Sequence, residues 1–351
     1  MTARLTIEKV YKVFSDSPER ALPLLAAGAS KDKVQAELGA VVGLNGISLS
    51  VPAGAIYIIM GLSGSGKSTL ARCVNRLIEP TAGRILLDGE DVVAAPPQRL
   101  RELRRTRMSM VFQHFALLPH RTVVENVEFG LKLRGMPAVE RRKKAERFLG
   151  IVGLEKWAGY RPVNLSGGMR QRVGLARALA TDADLLIMDE AFSALDPLIR
   201  SEMQDELLQL QKVLRKTILF ITHDFQEALK LGTRIAILAD GAVVQEGTPQ
   251  EIVLDPHNDY VAAFTRDVDR ARLFDAASVM TPLEPGAASL AGAGAVPMKA
   301  KLIEVARALN GAEQVAVTDE AGRLVGCISA AQVLARIGGR ISAPSPGTRG
   351  L

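Results

Sequence analysis

The segment GLSGSGKS at residues 61–68 constrains the fold of this 351-residue chain more than any other feature. It matches the pattern G-x-x-x-x-G-K-[ST], follows an apolar run that ends at Met60, and precedes a helical pattern. Glycines let the backbone turn tightly around an anion, and the following helix directs its positive N-terminus at the same point. The segment therefore predicts a strand–loop–helix unit that binds the phosphates of a nucleotide. Its predicted contacts are Gly61, Ser63, Gly64, Gly66, Lys67, Ser68 and Thr69.

The residue types in and beyond this loop also predict a magnesium site and a hydrolytic carboxylate. The Lys67 ammonium would reach the β- and γ-phosphates, and the Ser68 hydroxyl would bind Mg²⁺. The run LLIMDE at residues 185–190 predicts a buried strand that ends in two acids. Asp189 would hold Mg²⁺ through water, and Glu190 would polarise the water that attacks the γ-phosphate. A second acid at this position favours hydrolysis over transfer to a hydroxyl substrate.

Two further segments predict contacts with a nucleotide. The segment LSGGMRQR at residues 165–172 begins a helix with a Ser-Gly-Gly turn, which is another anion-binding N-terminus. Because one chain cannot easily bring two such helices to one triphosphate, we expect Ser166 and Gly168 to face a nucleotide held by a second chain. His223 follows the strand pattern TILFIT, where α/β sheets place their ligands, and we expect it to contact the γ-phosphate.

Alternating strand and helix patterns predict an α/β domain with a largely parallel sheet over residues 1–266. Residues 3–14 predict the first strand, residues 15–43 predict an insert of two short helices, and residues from about 114 to 178 predict a helical subdomain. The other helices are predicted near residues 67–78, 98–105, 137–150, 167–180 and 198–215, and the other strands at 46–51, 55–60, 185–188, 217–222 and 234–238.

A change in composition near residue 266 predicts a second, smaller domain. A charged linker at residues 267–275 leads into an α+β module at 276–340, and the tail at 341–351, rich in Pro, Gly and Ser, is predicted to be disordered. Within the module we predict a small-residue loop at 285–297, a helix at 302–309, a hairpin at 314–330 with its turn at 320–322, and a helix at 331–337.

Composition and charge exclude several other classes of protein. With 48% apolar and 23% charged residues the chain is of the soluble globular type. Its two cysteines are far apart, which excludes a disulfide scaffold and a CxxC zinc site. Its apolar runs are far shorter than the roughly 20 residues that span a bilayer, so we expect a cytosolic chain that at most rests on a membrane. The formal charge is +6, but aromatic residues do not interleave its basic clusters, and we expect no nucleic-acid partner.

The motifs GLSGSGKST, VFQ, LSGGMRQR, LLIMDE, SALD and THD, in this order over residues 61–224, resemble the ATP-binding subunit of an ABC transporter. The resemblance is closer still to the subunits that energise importers of glycine betaine, proline betaine or choline, and it covers about residues 1–270. It rests on VYKVF with the insert after it, and on the segments MGLSGSGKSTLARCVNRLIEPTAG, FQHFALLPHRTVVENV and DEAFSALDPLIRSEMQDEL.

This resemblance implies an ATPase that uses ATP and Mg²⁺ and works as a dimer of identical subunits under a membrane permease. It implies that Gln113 senses the γ-phosphate and joins the Mg²⁺ site, and that the loop after it meets the permease. Phe14, with Tyr11 as the alternative, would stack on adenine, and Asp196 would face the ATP of the partner subunit. An extracytoplasmic solute-binding protein would be an indirect partner. The chain would lie peripherally on the cytoplasmic face of the bacterial plasma membrane.

Residues 276–340 resemble one CBS module, which many betaine-type ATPases carry in tandem pairs. Where nucleotide-binding CBS modules have an aspartate for the ribose hydroxyls, this chain has Gln332, so we expect no tight binding of adenine nucleotides there. We expect the module to pair with its copy across the axis of the dimer through an apolar face. The residues of that face are Val315, Val317, Leu324, Ile328, Val333 and Leu334.

Two alternatives compete with a transport ATPase. A soluble ABC ATPase that acts on nucleic acid or ribosomes usually carries a second ATPase cassette or long coiled-coil insertions, and the sequence contains neither pattern. A regulatory module that only binds a nucleotide is disfavoured because Glu190 and His223 are both present.

Overall fold

The computed structural model describes residues 2–112, 116–193, 195–283 and 294–338. The chain forms two compact units, Met1–Pro249 and Gln250–Leu351. The ATPase boundary at residue 266 and the linker at 267–275 stay predictions. The tail at 341–351 and most of the small-residue loop lie outside the described residues. Among the helices of the described ranges, none is both long and apolar enough to cross a membrane.

In the described part of the first unit, ten strands, numbered along the chain, form two sheets. One sheet has the order β2-β1-β4-β5 and is antiparallel, and the other has six strands in the order β10-β9-β3-β8-β7-β6. The second is parallel except for its edge strand β10. The strands are β1 (Ala3–Phe14), β2 (Val41–Pro52), β3 (Ile56–Met60), β4 (Ala82–Leu87), β5 (Glu90–Asp91), β6 (Met108–Val111), β7 (Leu185–Asp189), β8 (Thr217–Thr222), β9 (Arg234–Ala239) and β10 (Ala242–Gly247).

The register of the central strands brings the predicted site residues to one edge of the parallel sheet. β3, β7 and β8 are buried along their whole length, as their apolar sequences predict. Met60 pairs with Thr222, and Asp189 pairs with Ile221. The loops that follow these three strands therefore leave the sheet side by side, at its carboxyl edge, where open α/β sheets bind ligands.

Helices pack against these sheets and also form a subdomain of their own. Within that subdomain α5, α6 and α7 pack against one another. The bounds predicted for the helical subdomain, residues 114–178, stay a prediction. The helices of the first unit are α1 (Leu22–Ala26), α2 (Lys31–Leu38), α3 (Lys67–Val74), α4 (Pro97–Thr106), α5 (Val123–Leu133), α6 (Ala138–Ile151), α7 (Gly167–Ala180), α8 (Pro197–Leu214) and α9 (Phe225–Leu231).

Sequence patterns missed several elements and misjudged some boundaries. α5 and α9, and the strands β4 and β10, were not predicted, and α3 is shorter than the predicted helix 67–78. α3 ends because Asn75 leaves the helical conformation and Arg76 adopts a left-handed one, with φ of 54°. α5 carries a capping box in which Thr122 and Glu125 bond to each other's backbone N–H groups, a signal that its sequence displays.

The insert after β1 differs slightly from its prediction. A 3-10 turn occupies Pro18–Ala21, and the first α-helix begins only at Leu22. The second helix is α2, in which Ser30 caps the N-terminus and Gly39 ends the helix in the left-handed conformation. The insert has a small apolar core of its own, formed by Val13, Ala21, Leu25, Val34, Ala40 and Val42.

As far as its residues are described, the second unit contains a small four-stranded sheet with helices beside it. Its strand order is β11-β14-β13-β12, with β13 and β14 forming the predicted hairpin. The strands are β11 (Thr281–Pro282), β12 (Ala295–Pro297), β13 (Gln314–Thr318) and β14 (Leu324–Ser329). The helices are α10 (Pro249–Leu254), which begins at the boundary, α11 (Asp259–Thr265), α12 (Arg270–Leu273), α13 (Leu302–Leu309) and α14 (Ala330–Gly338).

In the structure, some residues of the apolar face predicted for this second unit are exposed and others are buried. Leu324 and Leu334 are exposed, with 39% and 70% of their surface accessible. The unit itself therefore buries most of the face, and the pairing with a second copy stays a prediction. The members that lie in the unit's own core are Val315, Val317, Ile328 and Val333.

The capping box of α5 generates a prediction about local stability. Thr122→Ala removes the hydroxyl that accepts from the Glu125 N–H, which should cost about 1 kcal/mol. We expect the first-turn amides of α5 to exchange with deuterium about fivefold faster. Thr122→Ser keeps the hydroxyl and should exchange like the unaltered chain. Equal exchange in both variants would contradict the role of this cap.

Candidate functional site

The loop after β3 contains three glycines with positive φ. Gly61, Gly64 and Gly66 have φ of 147°, 80° and 102°, which side chains other than glycine rarely adopt. A Cβ atom at Gly61 would lie 2.1 Å from the Leu238 carbonyl oxygen, and one at Gly66 would lie 2.5 Å from that of Gly43. These two glycines are therefore required by close backbone contacts as well as by conformation.

Lys67 is the first residue of α3, directly after this loop. Its ammonium donates hydrogen bonds to the carbonyl oxygens of Gly61 at 2.7 Å and Leu62 at 2.8 Å. Burial lowers the pKa of Lys67, and the nearby carboxylates of Glu190 and Asp189 oppose that shift. The loop thus holds a cation at the point where the sequence predicts the terminal phosphates.

Ser68 and Asp189 form the oxygen-rich part of the site. The Ser68 hydroxyl donates to Asp189 Oδ1 at 2.8 Å, and an Arg72 nitrogen lies 3.8 Å from Asp189 Oδ2. Burial raises the pKa of Asp189, while the bond from Ser68 and the charge of Arg72 act in the opposite direction. A hydroxyl and a carboxylate are hard oxygen donors of the kind that Mg²⁺ prefers, so these two residues fit the predicted metal.

Glu190 and His223 meet at the same edge of the sheet. The His223 Nδ1 atom lies 3.5 Å from Glu190 Oε1. Glu190 has a left-handed backbone with φ of 48°, and its N–H donates to the Ile221 carbonyl at 3.0 Å. The Ser193 hydroxyl donates to the Glu190 carbonyl at 2.9 Å. The strained turn is held by these bonds, and it directs the carboxylate towards the histidine.

The Ser-Gly-Gly turn forms a second concave surface. The Ser166 hydroxyl accepts from the Met169 N–H at 3.3 Å and caps α7. A Cβ atom at Gly168 would lie 3.1 Å from the Ile199 side chain. The pocket here has a volume of about 550 Å³, and Asp196 is part of it, so the structure brings the three residues predicted to act in trans together. Its lining residues are Gly153, Leu154, Trp157, Ser166, Gly167, Gly168, Met169, Arg172, Leu195, Asp196 and Ile199.

Phe14 is better situated than Tyr11 to stack on a base. Phe14 is 43% exposed and has the Lys12 ammonium 5.0 Å from its ring centre. Its ring packs at Gly43, where the Thr69 methyl group also lies, so it borders the phosphate loop. Tyr11 packs against the core of the insert, and its hydroxyl lies at Gly46.

Gln113 lies outside the described residues, so its predicted roles at the γ-phosphate and at Mg²⁺ stay predictions. The structure describes its surroundings on both sides. Arg177 of α7 donates to the carbonyl oxygen of Ala116 at 2.6 Å. Phe112 and Ala116 border an apolar groove of about 330 Å³ that the sequence did not predict. Other apolar side chains along it are Leu77, Met108, Met110, Phe129 and Leu133.

Comparison with known proteins agrees with this geometry. A model of the ABC transporter family matches residues 44–193. The glycine betaine/proline betaine transport system ATP-binding protein ProV of Escherichia coli (strain K12) is 53% identical over 279 residues, which are 80% of this chain and 70% of ProV. The chain belongs to the ABC transporter family. The predicted cassette fold and the predicted ATPase of a transporter are thereby confirmed, and a soluble ATPase acting on nucleic acid is not favoured.

Other relatives extend the comparison. The trimethylamine N-oxide transport system ATP-binding protein TmoW of Pelagibacter ubique (strain HTCC1062) is 45% identical over 329 residues, which are 93% of this chain and 95% of TmoW. The dimeric structure of the bacterial ABC transporter cassette MJ0796 is 31% identical with a TM-score of 0.60, and covers 70% of this chain and 98% of the cassette. A second structure of that cassette is a dimeric post-hydrolysis state bound to ADP and Pi.

The position of Glu190 generates a prediction about turnover. Glu190→Gln keeps the size of the side chain but removes its charge, and we expect a loss of at least about a hundredfold in the ATPase rate, near 2.7 kcal/mol of barrier. ATP should still bind, and the trapped nucleotide should hold two chains together in sedimentation with ATP and Mg²⁺.

Glu37→Gln is a control for this measurement, because Glu37 is a half-exposed carboxylate of α2 that pairs with Lys33 within the insert, outside both nucleotide-binding surfaces. It should leave the ATPase rate unchanged. A Glu190→Gln variant that stays monomeric and hydrolyses ATP normally would remove Glu190 from the mechanism.

Proposed function

We propose that this chain energises the import of a small methylated amine through a membrane permease. The observation that carries this proposal is the similarity to TmoW, which extends over nearly the whole of both chains. Relatives named for glycine betaine, proline betaine and carnitine transport match at 52% to 53% identity. All these solutes carry a methylated nitrogen, which defines the substrate class. Their names extend the solutes expected from the sequence by carnitine and trimethylamine N-oxide.

The proposed hydrolysis uses the residues gathered at the edge of the parallel sheet. Lys67 binds the terminal phosphates, and Ser68 and Asp189 hold Mg²⁺, which neutralises phosphate charge when bound. Glu190 accepts a hydrogen bond from the attacking water and aligns it with the γ-phosphate. His223, whose ring lies beside that carboxylate, donates to a γ-phosphate oxygen.

The proposed enzyme is a homodimer with two composite sites. The pocket at Ser166, Gly168 and Asp196 is lined by residues from outside segment 61–69. A helix N-terminus attracts anions, and an anion there would be held by a different chain. The dimeric structures of the MJ0796 cassette support this arrangement.

The permease would dock in the apolar groove beside Gln113. Phe129 and Leu133 are 40% and 54% exposed and present an apolar surface there. An apolar segment of the permease seated in this groove would contact the residues on both sides of Gln113, at the end of strand β6. Such docking would keep the chain on the cytoplasmic face of the inner membrane, with the extracytoplasmic solute-binding protein on the other side.

Reconstitution tests the substrate class. The chain would be placed in vesicles with the permease and solute-binding protein encoded by neighbouring genes, and its ATPase rate measured with glycine betaine, trimethylamine N-oxide, choline, glycine or proline. We expect stimulation by one or more of the methylated solutes and none by glycine or proline. Stimulation by an unmethylated amino acid alone would contradict the proposal.

Docking in the groove is tested by Leu133→Glu, which puts a charge on the apolar surface. We expect at least about a tenfold loss of permease-stimulated ATPase, because the charge must be desolvated on docking. The ATPase rate of the isolated chain should not change. Val213→Glu is the matched control, since Val213 is an exposed apolar residue of α8 and is 80% accessible. Equal losses in both variants would argue against this groove as the docking site.

A further inference from the structure

Arg200 connects the two loops that flank the reaction site. Its guanidinium lies 3.3 Å from a carboxylate oxygen of Asp224, the residue directly after His223. The same group donates to the carbonyl oxygens of Ser193, at 3.4 Å, and of Leu195, at 3.1 Å, in the loop before α8. A guanidinium can hold these acceptors together because its N–H donors have a fixed, planar arrangement.

The helix that carries Arg200 also begins at the loop predicted to face the partner's nucleotide. Asp196 caps α8 by accepting from the Ile199 N–H at 3.1 Å. Asp196, Arg200 and Gln204 follow at intervals of four residues, so their side chains lie on one face of the helix. A shift of Asp196 along the helix axis would therefore move Arg200 and Gln204 with it.

Gln204 makes a second, buried connection to the end of β8, directly before His223. Its amide donates to Glu227 Oε1 at 3.0 Å, and the Thr222 hydroxyl donates to Glu227 Oε2 at 2.6 Å. Only 5% of Glu227 is accessible. The Asp224 N–H in turn donates to the Thr222 hydroxyl at 2.9 Å. Both neighbours of His223 are thus tied to α8, one through Glu227 and one through Arg200.

We propose that Arg200 is a positioning residue that couples the Asp196 loop to His223. In the proposed homodimer Asp196 faces the ATP of the partner, and His223 faces the ATP of its own chain, so the inference rests on that proposed function. Through Arg200, the nucleotide held by the partner would influence the alignment of His223 on the chain's own nucleotide. Because the two chains of a symmetric homodimer carry the same connection, each nucleotide would influence hydrolysis of the other, and the two sites would then hydrolyse ATP cooperatively.

Two variants break this connection from opposite ends. Arg200→Ala removes all three contacts of the guanidinium. Asp224→Asn removes the charge but keeps the oxygen that caps α9, which accepts from the Gln226 and Glu227 N–H groups. Lys230→Ala is the matched control.

The control breaks a different link between the same two helices. Lys230 of α9 pairs with Asp205 of α8 at 2.8 Å and donates to the Ser201 carbonyl, farther along α8 from the loop at Asp196. Its loss should reveal how much activity depends on the packing of α8 and α9 alone.

The measurement is the steady-state ATPase rate of the full chain as a function of ATP concentration. We expect Arg200→Ala to lower kcat by at least about tenfold, with the KM for ATP within about twofold, and to lower the Hill coefficient towards one. Asp224→Asn should act in the same direction. The double variant should be no slower than Arg200→Ala, because both changes break one connection. Lys230→Ala should match the unaltered chain.

Three outcomes would overturn the inference. They are an unchanged kcat and Hill coefficient in Arg200→Ala, an equal loss in Lys230→Ala, and additive losses in the double variant. If Arg200→Ala does not fold, Asp224→Asn decides the question by the same criteria. If Glu190→Gln forms no dimer with ATP, the proposed homodimer itself fails and the inference with it. That result differs from one in which Glu190→Gln dimerises with ATP but the Hill coefficient of Arg200→Ala is unchanged.

Discussion

The side-by-side pairing of β3, β8 and β7 is the constraint on which the rest of the site depends. Side chains alternate between the two faces of a strand, so a slip of one residue between β7 and β8 would turn Asp189 to the opposite face of the sheet. The hydrogen bond of 2.8 Å between Ser68 and Asp189 joins the helix after β3 to the end of β7, and it would be lost. The buried apolar residues of these strands prevent such a slip, because it would reverse their packing on both faces.

Buried charged groups and a strained backbone conformation lie close together at the carboxyl edge of the parallel sheet. Burial lowers the pKa of Lys67 and raises the pKa of Asp189, so each group is disfavoured in its charged form by desolvation and favoured by the other. Glu190 adds a left-handed backbone, which costs an ordinary residue on the order of 1 kcal/mol. Such costs are tolerated where the surrounding structure over-determines the conformation. Here the hydrogen bonds of Ser193 and Ile221 to the Glu190 backbone have that effect.

Sequence patterns predict a helix or strand well where its signals, such as alternation or a cap, lie within a few residues of one another. The strand at 3–14 matches its prediction, and the helix that follows Ser30 lies in the predicted insert, because alternation and caps are encoded within a few residues. The capping box of Thr122 and Glu125 at the start of α5 is a signal of the same local kind. Arg200 is different, because its acceptors include Asp224, which lies 24 residues further along the chain, and its role follows only from the packing of α8 against α9. The apolar groove beside Gln113 is also assembled from distant segments and has no local pattern.

At position 332, where nucleotide-binding CBS modules have an aspartate, the side chain of Gln332 forms hydrogen bonds within the module itself. The Gln332 side-chain oxygen accepts from the Ser329 N–H at 2.7 Å, and the Ser329 hydroxyl accepts from the Gln332 N–H at 3.2 Å. These reciprocal bonds form a capping box at the start of α14. The amide nitrogen of Gln332 donates to the Thr281 hydroxyl at 2.9 Å, which ties β11 to the same point. Both polar atoms of the side chain thus stabilise the junction of strand and helix, and binding a ribose there would require breaking these bonds as well as supplying the missing negative charge.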